Sequence, residues 1–193
     1  MSTERNILLC GVGGQGILLS AKVIASAAEL SGMEVTTNEI HGMAQRGGSV
    51  TAMVRFGKEI HSPLILEGEA DVLGSLEAIE ALRFAHFLKR DGLAVVNAQR
   101  IIPVTVSTGA ARYPEDVEAR LKAVFSRYIF QDFLHLANGL GDARMSNTVM
   151  LGAMSKGLPE ISEGIWEDAL RRCVKPAFVE ANVQAFRLGR GQE

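Results

Sequence analysis

The feature that most constrains this chain is a short apolar run that stops abruptly at glycines and is followed at once by helical periodicity. Ile7, Leu8, Leu9 and Cys10 suit a strand buried on both faces of a parallel sheet. Gly11-Val12-Gly13-Gly14-Gln15-Gly16 then carries the Gly-x-Gly-x-x-Gly spacing. Beyond it, apolar residues at Ile17, Ala21, Ile24 and Ala28 mark one helical face, and Gly32 is placed to end the helix. Met33 to Thr37 reads as a second strand, which completes a right-handed βαβ unit.

The rest of the chain continues the alternation. Val50–Phe56 and Glu59–Ile65 flank Gly57-Lys58 in the manner of a hairpin, so the sheet is expected to be mixed. A strand at Asp71–Leu73, a helix from Ser75 to Arg90 and a strand at Leu93–Asn97 follow. Pro103–Ser107 is expected as an edge strand, because Pro103 has no N–H for an interior ladder. Pro114 with Glu115 and Asp116 marks a helix start that Val117, Leu121, Val124 and Tyr128 could continue, but Val124–Phe130, rich in β-branched and aromatic residues, is preferred as a strand. Helices at Arg144–Lys156 and from Ser162 and Pro176 complete the layers. The expectation is one α/β domain over residues 1–193: a three-layer, Rossmann-like fold with a mixed, mostly parallel sheet and helices on both faces.

Composition narrows the function classes. Twenty Lys and Arg against twenty-two Asp and Glu leave a net charge of -2, with no global positive field for nucleic acid or an acidic membrane surface. No stretch approaches the roughly 20 apolar residues needed to span a bilayer. Cys10 and Cys173 are too few for a disulfide scaffold, a four-thiolate zinc site or an iron–sulfur cluster. With no secretory signal at the N-terminus, a soluble cytoplasmic protein is expected. His41, His61, His86 and His135 fall into no metal-ligand spacing, so no metal is expected.

Two segments are rich in hydrogen-bond donors. In the first loop, glycines permit close approach to the backbone, and the following helix terminus attracts a phosphate or carboxylate. The other reading is a glycine turn that lets the helix pack near the sheet. The second segment is Asn38 to Ser49, where Arg46 offers a planar donor fork and Gly47-Gly48-Ser49 adds backbone and hydroxyl donors. By topology the two loops should meet above the carboxyl ends of adjacent strands. Arg46 could equally serve a surface ion pair. Glu39 stands near the position of a ribose-holding acid, which keeps open a free-standing NAD(P)-dependent oxidoreductase or a nucleotide-binding regulatory module. No Tyr-x-x-x-Lys pair accompanies it. His41 and Gln45 are contact candidates in the same run, although a hydrogen-bonded structural role is the more natural reading of His41. Asn147, in Met145 to Gly152, is either a cleft-facing amide or a first-turn residue. Cys10, at a strand end, reads as an inert core thiol.

Together the glycine loop, the run Glu39-Ile40-His41-Gly42-Met43-Ala44-Gln45-Arg46-Gly47-Gly48-Ser49 and the Asn147–Gly152 segment resemble the gamma-type domain of 2-oxoacid:ferredoxin oxidoreductases, and within that family the indolepyruvate branch. The resemblance runs from Asn6 to about Phe186. It implies oxidative decarboxylation of a 2-oxoacid on thiamine diphosphate, electron transfer through iron–sulfur clusters to ferredoxin, and capture of the acyl group by coenzyme A. Gly141-Asp142 continues as Ala143, so the Gly-Asp-Gly of a thiamine diphosphate site is missing. The resemblance therefore implies a subunit inactive alone, without catalytic residues of its own. A large alpha subunit would carry thiamine diphosphate, Mg and 4Fe-4S clusters, ferredoxin would be reached through the complex, and a homodimer is open to the isolated chain. Gly11, Gly13, Gly14, Gln15 and Gly16 would form a tight loop beside Arg46, Gly47, Gly48 and Ser49, receiving coenzyme A phosphates or the substrate carboxylate at the subunit interface. Glu39, His41, Gln45 and Asn147 would serve substrate or partner.

Overall fold

The computed structural model describes residues 4–41, 48–102, 106, 109 and 112–192. Six strands form one sheet: β1 (Arg5–Val12), β2 (Glu34–His41), β3 (Ser49–Gly57), β4 (Ala70–Ser75), β5 (Leu88–Asn97) and β6 (Tyr128–Gln131), in the spatial order β2-β3-β1-β4-β5-β6. Only β3 runs against the rest; it pairs antiparallel with β1 on one side and β2 on the other, while β1, β4, β5 and β6 are parallel neighbours. The sheet is mixed and mostly parallel.

Seven α-helices are present among the described residues. One face of the sheet is covered by α1 (Ile17–Leu30), α4 (Phe133–Gly139), α5 (Ser146–Met154), α6 (Glu163–Cys173) and α7 (Val179–Arg190), whose core includes Ile7, Leu9, Val54, Phe56, Trp166 and Phe186. The other face carries α2 (Ala78–Arg83) and α3 (Val117–Val124) over Leu8, Cys10, Leu73, Val96 and Leu121. The alternation Ile7/Leu9 to one core and Leu8/Cys10 to the other is the pleat of a strand buried on both sides. Gly152 and Gly189 let α5 and α7 cross in backbone contact: a Cβ on Gly152 would meet the Phe186 carbonyl, and one on Gly189 that of Val149.

Several expected elements are redrawn. β2 and β1 run in the same direction, but β3 lies between them, so the first βαβ unit skips one strand. The Gly57-Lys58 hairpin does not form. β3 already has both neighbours, and the chain after Gly57 runs irregularly, with Ile65 folding onto Met53 and the Arg55 guanidinium donating to the Ser62 and Leu64 carbonyls. The expected Ser75–Arg90 helix is cut to Ala78–Arg83 plus a 3-10 turn at Ala85–Phe87, because β5 begins at Leu88 and pairs Leu88 with Ala70. The segment Val124–Phe130 divides: the helix runs to Val124, and the strand is Tyr128–Gln131. Helix α4 was not expected. The proposed Pro103–Ser107 strand lies outside the described residues except for Val106.

Candidate donor-loop site

All the connections that matter leave one edge of the sheet, at the carboxyl ends of β1, β2, β4 and β5. The first loop turns from β1 into α1 through glycines with left-handed backbone, Gly14 at φ 99° and Gly16 at φ 85°, where any Cβ would be strained. Gly16 is the N-cap of α1 and supplies no side chain to the orphan N–H groups there. Gly14 is exposed at the tip, with open space around it. The positive end of α1 thus lacks a side-chain cap and lies two residues from an exposed glycine.

The second loop comes back to the first. Because β3 enters the sheet beside β1 with Val12 opposite Ser49, the two loops emerge side by side. The Gly13 N–H donates to the Gly48 carbonyl at 2.9 Å. On its other side, the Ser49 hydroxyl donates to the carboxylate of Glu80, a buried residue on the first turn of α2. Gln45, Arg46 and Gly47 lie outside the described residues, as does the His41 side chain, although His41 pairs with Val50 through its backbone.

Gln15 and Asn147 brace the first loop from within. The Gln15 carbonyl oxygen accepts from the Val12 N–H at 2.7 Å; its amide nitrogen donates to the Leu76 carbonyl at 2.7 Å and to the Gln99 side-chain oxygen at 2.9 Å. The side chain read from sequence as open to a ligand or partner thus bridges β1 to the β4–α2 turn. Gly11 leaves the space for it, since a Cβ there would stand 2.7 Å from the Gln15 oxygen. Asn147 is 3 % exposed and donates to the Gly16 carbonyl at 3.2 Å, so it faces the loop rather than a cleft.

A buried polar hub under the loops carries no motif, and sequence reading missed it. Glu77, 2 % exposed, caps α2 by accepting from the Ile79 and Glu80 N–H groups, and it also receives the Tyr113 hydroxyl at 2.6 Å and the Ile101 N–H at 3.3 Å. Burial, reinforced by the Glu77 carboxylate, pushes the Tyr113 hydroxyl well above its ordinary range. Asn97 donates to the Leu76 carbonyl and accepts from the Phe133 N–H. The signal was there to find: Ser75, Glu77, Asn97 and Gln99 are polar residues at the ends of otherwise apolar strands. Burial also pushes the Cys10 thiol up to about 12, which leaves it protonated and inert.

Glu39 does not stand where a ribose-holding acid would. It lies on edge strand β2, two strands from β1 and so about 10 Å across the sheet from the glycine loop. A dinucleotide arrangement requires the acid-bearing strand to adjoin the glycine-bearing one. Among the described residues, no group of three or more His, Cys, Asp or Glu could hold a metal ion, and no helix is long and apolar enough to cross a membrane.

An open α/β sheet with two loops meeting at the carboxyl ends of its strands has the geometry at which proteins of this class bind their ligands. The chain belongs to the pyruvate ferredoxin/flavodoxin oxidoreductase family, whose pattern it matches over residues 6–192. It is 41 % identical over 191 residues to the indolepyruvate oxidoreductase subunit IorB of Pyrococcus horikoshii, covering 96 % of this chain and 94 % of that one. Identity to the Archaeoglobus fulgidus IorB is 42 % over 191 residues, covering 97 % and 94 %. Among solved structures, the fold is shared with pyruvate oxidoreductase subunit PORC of Thermotoga maritima (TM-score 0.75, 22 % identity, 98 % and 96 % covered). It is shared equally with 2-oxoglutarate:ferredoxin oxidoreductase of Magnetococcus marinus (TM-score 0.73, 21 % identity), where 98 % of this chain corresponds to 31 % of a longer one.

Proposed function

We propose that this chain is the non-thiamine-binding subunit of an indolepyruvate-type 2-oxoacid:ferredoxin oxidoreductase. Its large partner carries thiamine diphosphate, Mg and 4Fe-4S clusters, and electrons leave the complex to ferredoxin. The two loops receive an anion at the subunit interface, either the phosphates of coenzyme A or the substrate carboxylate. The observation that carries this reading is the junction of Gly13 with Gly48 at the head of a helix with no side-chain cap, in a chain 41 % identical to an IorB subunit.

The donor set fits coenzyme A phosphates: an exposed glycine tip, a helix N-terminus, and Arg46 in the adjoining sequence. It does not fit clusters, since two cysteines 163 residues apart in sequence, one of them fully buried, supply no ligand set, and it does not fit thiamine diphosphate, since Gly141-Asp142 continues as Ala143 and leaves no Gly-Asp-Gly. Those groups are therefore assigned to the partner. Coenzyme A supplies the thiol that takes the acyl group; this chain's residues bind and orient its charged end.

The test is co-expression with a candidate alpha subunit. The pair should reduce ferredoxin with an aryl 2-oxoacid and coenzyme A, and neither chain should do so alone. Arg46→Ala should raise the coenzyme A or 2-oxoacid KM. Full activity of the large subunit by itself would overturn the assignment.

A further inference from the structure

We infer that Glu80 is a positioning residue for the anion seat, acting through Ser49 without touching the ligand. The inference rests on the reading of the two loops given above. Ser49 is where the second loop ends and β3 begins, and it is held from two directions. Its neighbour Gly48 accepts from the Gly13 N–H, and its own hydroxyl donates to the Glu80 carboxylate. Glu80 is 9 % exposed, so this bond forms with little competition from water. The carboxylate is itself fixed: its backbone N–H is capped by Glu77 at 3.0 Å, and the Arg83 guanidinium lies 3.4 Å from its other oxygen.

The consequence is a rigid triangle of Gly13, Ser49 and Glu80 that sets where the second loop stands relative to the first. A hydroxyl engaged by a buried carboxylate is poorly placed to donate to an incoming anion. Ser49 thus anchors the seat, and among the described residues the donors left for a ligand are those of the glycine backbone. Glu80 also brings negative charge beneath an anion site. The Arg83 guanidinium offsets that charge from one side, while the Ser49 hydroxyl donates to the carboxylate from the other.

The experiment uses the assembled complex, with equilibrium dialysis of labelled coenzyme A and amide hydrogen exchange over residues 48–56. Glu80→Ala should weaken coenzyme A binding about tenfold, and it should speed exchange near Ser49 and Val50. Glu80→Gln, which can still accept from the Ser49 hydroxyl, should restore most of both. Adding Ser49→Ala to Glu80→Ala should cost little more, because the two act as one unit. Should Glu80→Ala fail to fold, Ser49→Ala alone carries the test, with the same tenfold weakening expected. Wild-type affinity in these variants, with Arg46→Ala weakened, overturns the role of Glu80 and leaves the loop assignment standing. Wild-type affinity in all of them, Arg46→Ala included, overturns both.

Discussion

The Gly13 N–H and the Gly48 carbonyl are joined by a hydrogen bond of 2.9 Å, and through it two loops separated by thirty-odd residues of chain become one surface. The contact exists because β3 reverses direction and inserts beside β1, placing Ser49 opposite Val12. Had β2 been the neighbour of β1, the second loop would have emerged a strand further away. The antiparallel strand is thus what makes the site.

Gln15 stabilises that surface from below. Its amide satisfies the Val12 N–H and the Leu76 carbonyl, and it meets Gln99. Gln15→Ala should lower stability by about 1–3 kcal/mol, since buried partners are left unpaired. Urea denaturation of the isolated chain measures this; a change under about 0.5 kcal/mol, the range of ordinary surface substitutions, would mean that the amide is not a brace.

Gly16 and Asn147 are matched in size. A Cβ on Gly16 would stand 2.5 Å from the Asn147 amide nitrogen, in a backbone conformation that L residues avoid. Gly16→Ala should therefore destabilise by about 2 kcal/mol or more, combining strain with overpacking. Gly14→Ala, at φ 99° with open space around it, should cost only the backbone strain, about 1 kcal/mol. Thermal unfolding of the two variants side by side separates the steric contribution.

The two cysteines should behave differently. Cys10 is fully buried, and desolvation holds its thiol at about 12 against an ordinary 9.0. The native state then favours the protonated thiol. Its contribution to stability is whole below pH 9 and is lost as pH rises from 9 through about 12, where the unfolded chain ionises first. Cys10→Ala should flatten that alkaline loss relative to wild type. At pH 8, a thiol reagent should modify the half-buried Cys173 before unfolding and Cys10 only after it; rapid native labelling of both would contradict the burial.

What could be read from the sequence follows a physical division. The glycine loop, its flanking strand and helix, and the helices from Ser162 and Pro176 rest on local signals: periodicity, glycine and proline, which act within one turn. The order β2-β3-β1 depends on contacts between distant segments, so the adjacency of β1 and β2 was assumed where β3 in fact intervenes. Gln15 and Asn147 were singled out as polar residues near a loop, and they are near it. Whether an amide faces a ligand or the protein is decided by partners such as Leu76, Gln99 and Gly16, which no local pattern reveals. Glu77 and Glu80 were passed over because isolated acids in a helical stretch look like a solvated face, whereas both are buried under the loops.

The most direct measurement is the coenzyme A affinity of the assembled complex with Gly14→Asp compared with Gly14→Asn. Both side chains tolerate left-handed backbone to a similar degree, so the pair isolates one negative charge at the exposed tip of the donor loop. An anion seat predicts that the Asp variant binds at least about tenfold more weakly than the Asn variant, a difference of about 1.4 kcal/mol that shrinks as salt is raised. Equal affinity of the two variants, in complexes that assemble normally, would contradict it.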